Sequence, residues 1–85
     1  MGNVPKILTD AFYLKDQKSL LSFFVNDIVI VKSGEHSGKR AWVISLEHIE
    51  PEQHYLVEFE DGGDAVLPVS KISRFNSSNQ GQFAG

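Results

Sequence analysis

Apolar and polar positions alternate most clearly between residues 27 and 43, DIVIVKSGEHSGKRAWV, where Val29 and Val31 precede Gly34 and Gly38, and Ala41 and Val43 follow. Period two on both sides of a glycine-punctuated turn predicts two short strands, about Asp27 to Lys32 and Arg40 to Glu47, joined by Ser33 to Lys39. A third strand, Tyr55 to Glu60, follows a loop from His48 to Gln53 that Pro51 interrupts. Asp61-Gly62-Gly63-Asp64 reads as a hairpin turn, because consecutive glycines accept the positive φ that tight reversals need. Ala65 to Leu67 then makes a fourth strand. Pro68 has no amide donor and ends it, and Val69 to Phe75 reads as one 3₁₀ turn and a short closing strand.

Residues 1 to 24 carry Ile7, Leu8, Ala11 and Phe12 at helical spacing, then Leu20, Leu21, Phe23 and Phe24. They read as a partly helical arm, with Thr9 or Asp10 capping one short helix and Asp16 another, and with too little length to hold without docking. Asn76 to Gly85 is polar and glycine-rich and reads as a disordered tail. The domain organisation is therefore an arm over 1–24, a β domain over 25–75 and a tail over 76–85.

Five short strands with tight turns and a 3₁₀ turn before the last describe an all-β, five-stranded SH3-like barrel. Its inward set is Val29, Val31, Ala41, Val43, Tyr55, Val57, Phe59, Val66 and Ile72. The opposite faces then carry Ile28, Ile30, Trp42, Ile44, Leu46 and Leu56, too apolar a row for a solvated surface. The arm or a second copy of the chain is expected to cover it, so self-association or arm packing is assigned to Ile28, Ile30, Trp42, Ile44 and Leu46.

Eighty-five residues allow one domain with a small core. The absence of cysteine leaves neither a disulfide framework nor a thiolate metal site and suits a reducing cytoplasm. No apolar stretch approaches the roughly 20 residues that span a bilayer, so no membrane partner is expected. Net charge is −3, and Glu47, Glu50, Glu52, Glu58, Glu60, Asp61 and Asp64 follow one another with no Lys or Arg between them. A solvated face accounts for such a run, and a protein partner with a basic face is the functional alternative, docking on Glu47, Glu50, Glu52, Glu58 and Asp61.

Other chemistry is sparse. His36, His48 and His54 lie in or beside loops without the spacing of a preformed metal site, and Asp61 to Asp64 lacks the further ligands of a calcium loop. Lys32, Lys39 and Arg40 with Trp42 could hold a nucleic acid, but three cations amid many carboxylates supply little phosphate neutralisation. No nucleophile constellation is present and no cofactor is expected.

Val29, Val31 and Gly34 followed by Gly38, Ala41 and Val43 resemble the KOW pattern, with Ala41 in place of its usual glycine. Over Phe24 to Phe75 the chain resembles type II dihydrofolate reductases, small SH3-like barrels that assemble as tetramers. The resemblance lies in Asp27, Val29, Lys32-Ser33-Gly34, Pro51-Glu52, Pro68-Val69, Ile72 and Arg74. It implies the fold and oligomerisation, and would give Lys32 a substrate-steering role. The family's Val-Gln-Ile-Tyr, however, reads Asp64-Ala65-Val66-Leu67 here, so the glutamine and tyrosine that contact cofactor and folate are absent. YLVEFEDGG and AVLPVSKI are similar to electron-transport accessory barrels, which act by docking partners, and small bacterial immunity proteins share this grammar. The chain is thus expected to be a non-enzymatic protein-interaction module of bacterial type. The alternatives are a type II reductase and a KOW-like nucleic-acid binder.

Overall fold

The computed structural model describes residues 4–75. Its elements are α1 (Lys6–Leu14), β1 (Ile28–Val31), β2 (Arg40–His48), β3 (His54–Phe59), β4 (Asp64–Pro68), a 3₁₀ turn (Val69–Lys71) and β5 (Ile72–Arg74). The strands form one antiparallel sheet in the order β4-β3-β2-β1-β5. Among the described residues no ladder joins β4 to β5, so both are edges and the sheet is not a closed barrel. The tail expected over 76–85 lies outside the described residues.

The β3–β4 hairpin sets the phase of the sheet. The chain reverses where the Gly62 amide donates to the Phe59 carbonyl at 3.0 Å, and Gly62 and Gly63 follow at φ 103° and 84°, where a side chain would strain the backbone. Counting outward from that turn pairs Val57 with Ala65, Leu56 with Val66 and Tyr55 with Leu67. Directly opposed residues share a face, so Ala65 and Leu67 turn to the core and Val66 turns away, 45% exposed. The inward assignment of Val66 is corrected accordingly, since the hairpin register outweighs the preference of one valine for the interior. The other expected inward residues, Val29, Val31, Ala41, Val43, Tyr55, Val57, Phe59 and Ile72, are all buried.

A second shift of phase lies in β2. Val43 pairs with Val57, but Ser45 pairs with Leu56 and Leu46 with Tyr55, leaving Ile44 as the extra residue of a bulge. Leu46 consequently leaves the outer row and packs against the core. Another irregularity between Leu46 and His48 returns His48 to the side of its partner His54.

The arm docks on this sheet. Ala11 and Phe12 from α1, then Leu21, Phe23 and Phe24, belong to the same buried cluster as the inward strand residues. The expected two helices are one. Pro5 stands at the N-cap of α1 without a side-chain cap, and Thr9 and Asp10 lie inside the helix. The helix ends at Lys15, left-handed at φ 57°, where Lys15 N–H bonds the Phe12 carbonyl and Asp16 N–H the Ala11 carbonyl. Asp16 caps no second helix; its carboxylate accepts from the Lys18 amide at 3.0 Å and makes a turn.

Polar groups fasten the segment after the helix. The Gln53 side chain accepts from the Ser22 amide at 2.9 Å and from the Tyr55 hydroxyl, and donates to the Leu20 carbonyl at 3.1 Å. Tyr55 in turn accepts from the buried Phe23 amide at 3.2 Å. Burial, more than any neighbouring charge, pushes the Tyr55 phenol above its ordinary 10.0. At the other end Asp27 accepts from the Phe24 amide at 2.8 Å and from Arg74 at 3.2 Å.

Candidate functional site

The register places the outer residues in rows across the sheet. One row is Ile28, Trp42, Glu58 and Asp64; the next holds Ser45, Leu56 and Val66; on the other side Ile30 lies between Arg40 and Ser73. Ile28 and Val66 are 40% and 45% exposed, while Ile30, Trp42, Ile44 and Leu56 are half-buried. The arm contributes its buried side chains to the inner core, so Ile28 and Val66 keep this exposure. The result is an apolar outer face centred on Trp42, running from the β5 side of the sheet to the β4 edge.

The charges around that face are unequally satisfied. Arg40 pairs with Glu60 through two hydrogen bonds, which hold the Glu60 carboxyl below and the Arg40 guanidinium above their ordinary values. Its guanidinium also lies 5.1 Å from the Phe75 ring centre. Lys39 reaches Asp61 at 3.4 Å and lies 5.2 Å from the Phe59 ring centre. Glu58 and Asp64 differ. They stand directly opposite one another on β3 and β4, both exposed, and neither makes an ion pair among the described residues. Like charges facing each other across a ladder oppose pairing, so this arrangement costs stability.

The other carboxylates of the acidic run are scattered by the fold. Glu47, half-buried, accepts from the Ser45 hydroxyl. Glu50 is exposed beside a cis peptide to Pro51 in the β2–β3 loop. Glu52 accepts from the Ser70 amide at 3.2 Å and from its hydroxyl at 3.4 Å, tying that loop to the 3₁₀ turn. The cations that neutralise Glu60 and Asp61 are Arg40, the first residue of β2, and Lys39 just before it, outside the acidic run of sequence, and only the strand pairing brings them there.

His48 and His54 face each other with ring centres 5.5 Å apart, and the His54 Nδ1 donates to the Glu52 carbonyl at 2.9 Å. His36 stacks on Phe59 at 4.5 Å, far from that pair along the chain. Among the described residues no three histidine or acidic side chains are gathered to hold a metal ion. A groove of about 330 Å³ lies between Gly34, Glu35 and His36 of the β1–β2 loop, Ala65 and Leu67 of β4, and Lys71. Ala65 and Leu67 give it aliphatic walls where the reductase pattern has glutamine and tyrosine. Lys32 is exposed at the end of β1, its amide bonded to the Lys71 carbonyl at 2.7 Å.

A further apolar surface escaped the strand-based reading. On α1 and the segment after it, Ile7, Leu14 and Leu20 are 76%, 78% and 74% exposed. They line a groove of about 420 Å³ together with Asp10, Asp16 and Lys18. Ile7 belongs to the helically spaced apolar set of the arm, but Leu8, Ala11 and Phe12 fill the side that docks, and Ile7 and Leu14 fall on the other.

No helix among the described residues is long and apolar enough to cross a membrane. Comparison with protein-family models, with curated proteins and with solved structures finds no match to this chain.

Proposed function

We propose that this chain is a non-enzymatic protein-interaction module of SH3-like type, and that it docks a partner through the outer face of its sheet. The strand order β4-β3-β2-β1-β5 and the 3₁₀ turn before the last strand support the SH3-like reading. One observation carries the function. An apolar face made by Ile28, Trp42, Leu56 and Val66 adjoins Glu58 and Asp64, two opposed carboxylates that pair with no cation among the described residues.

Burying such a face stabilises a complex, and a lysine or arginine seated between the two carboxylates relieves their repulsion while stacking against the indole. The partner is therefore a protein whose contact surface is apolar with basic side chains. Glu50 and Glu47 lie farther along the acidic run and steer encounter at long range.

Affinity capture from the native host with the intact chain tests the reading. A partner that is retained by wild type and by Lys39→Ala, and lost with Trp42→Ala and Glu58→Lys, supports it. Dihydrofolate-dependent oxidation of NADPH would replace it with the reductase reading. Salt-sensitive shifts of RNA or DNA that depend on Lys32, Lys39 and Arg40 would replace it with the nucleic-acid reading. A partner captured only after removal of residues 76–85 would assign the face to the chain's own C-terminus.

A further inference from the structure

We infer that the groove beside α1 is the contact surface between two copies of this chain, giving a two-fold dimer that leaves the sheet face free. The helix is apolar on two sides. Leu8, Ala11 and Phe12 anchor it to the core, and Ile7 and Leu14 project from it with Leu20 beside them, each about three-quarters exposed. Three large aliphatic side chains on one groove form the most exposed apolar patch among the described residues, and a monomer gains nothing from leaving them in water.

The charges around the groove select the occupant. Asp10 is committed to Lys6 at 2.9 Å within the helix. That leaves Asp16 and Lys18, one of each sign, neither in an ion pair among the described residues. A two-fold contact requires a surface complementary to itself. Here the Lys18 of each copy can meet the Asp16 of the other, while the leucines of one copy enter the groove of the other. A net-charged rim would call for a foreign partner of opposite sign, as on the sheet face, where opposed carboxylates would repel their own copy. The charges that line the α1 groove, with Asp10 paired to Lys6, are balanced and meet their own copy without that penalty.

Sedimentation velocity of the full chain from low to high micromolar concentration tests this. The mass is expected to rise from one copy to two. Leu14→Glu with Leu20→Glu should raise the dissociation constant at least about tenfold, since each buries a charge in an apolar contact. Leu14→Ala with Leu20→Ala should raise it several-fold without disturbing the fold, because both positions are exposed. Lys18→Glu should weaken the dimer and Lys18→Arg should not. Glu58→Lys and Trp42→Ala should leave it unchanged, so loss of the sheet-face partner and loss of the dimer are separate results. A chain that remains single at the highest concentration overturns the inference. So does a dimer that withstands both double variants, or one that is broken by Ile28→Glu instead.

Discussion

The groove beside α1 and the outer face of the sheet are both apolar and both uncovered among the described residues, yet their charges differ. Of the charges lining the α1 groove, Asp16 and Lys18, one of each sign, make no ion pair among the described residues; on the sheet Glu58 and Asp64 make none, and they are both negative and directly opposed. Exposed apolar area shows only that a surface tends to be covered. The charges left unpaired beside it show by what: a balanced rim accepts its own copy, and a one-signed rim accepts a partner of the other sign. The chain's net charge of −3 does not contain this distinction, because Lys39 and Arg40 cancel two carboxylates near the sheet face and leave Glu58 and Asp64 without an ion pair among the described residues.

The largest effect that can break this comparison lies beneath α1. Phe12 is fully buried and anchors the helix, so Phe12→Ala should lower unfolding free energy by about 3–5 kcal/mol and abolish the dimer with it. Denaturant unfolding measures this. A loss below about 1 kcal/mol would mean that the helix is not part of the core and that its groove is not a built surface.

A smaller effect is expected at the clamp that positions Leu20. Tyr55→Phe leaves the buried Phe23 amide without its acceptor and should cost about 1–3 kcal/mol. The same residue sets an alkaline limit. The folded-state pKa of Tyr55 is raised, so the neutral phenol stabilises the fold fully below its ordinary 10.0, and that contribution is lost as pH rises through the higher folded value. Unfolding midpoints measured against pH should fall for wild type in that alkaline window, and Tyr55→Phe should lack that component.

On the sheet face, Glu58→Lys converts an opposed pair of like charges into one of unlike charges and should raise stability by about 0.2–1 kcal/mol while abolishing partner capture. Stability and binding moving in opposite directions would mark Glu58 as kept for recognition. Equal losses of both would place its role in the fold.

The smallest effect is at Arg40–Glu60. Arg40 holds the Glu60 carboxyl below its ordinary 4.5, so the pair's contribution is present above that value and is lost as pH falls through the depressed one. Both groups are exposed. Arg40→Gln should therefore leave unfolding at neutral pH nearly unchanged and flatten the acid limb of the stability profile.

Much of this was legible in the chain, for reasons that also explain the rest. Strands with clear alternation, such as Val29 and Val31 or Tyr55, Val57 and Phe59, declare their inward side, and the paired glycines declare the hairpin. Val66 was misassigned because three apolar residues in succession carry no phase of their own; the turn at Phe59–Gly62 supplies it, and counting outward from that turn would have placed Ala65 and Leu67 inside. The bulge at Ile44 that moves Leu46 to the core leaves no mark in the alternation, because isoleucine, serine and leucine satisfy either phase there. The acidic run was visible as sequence, but its partial neutralisation was not, since Lys39 and Arg40 meet Asp61 and Glu60 only through β2–β3 pairing. The α1 groove was hidden because Ile7 and Leu8 are both apolar and only docking decides which one faces inward.

Trp42 is the only tryptophan, so its fluorescence reports the sheet face and nothing else. Acrylamide quenching of Trp42, followed with sedimentation over the same concentration series, tests most directly whether the two surfaces have separate occupants. The account predicts that the mass doubles while quenching stays constant, and that quenching falls only when the basic, apolar partner is added. Shielding of Trp42 in step with the doubling of mass would contradict it, because the sheet face would then be the surface on which the copies meet.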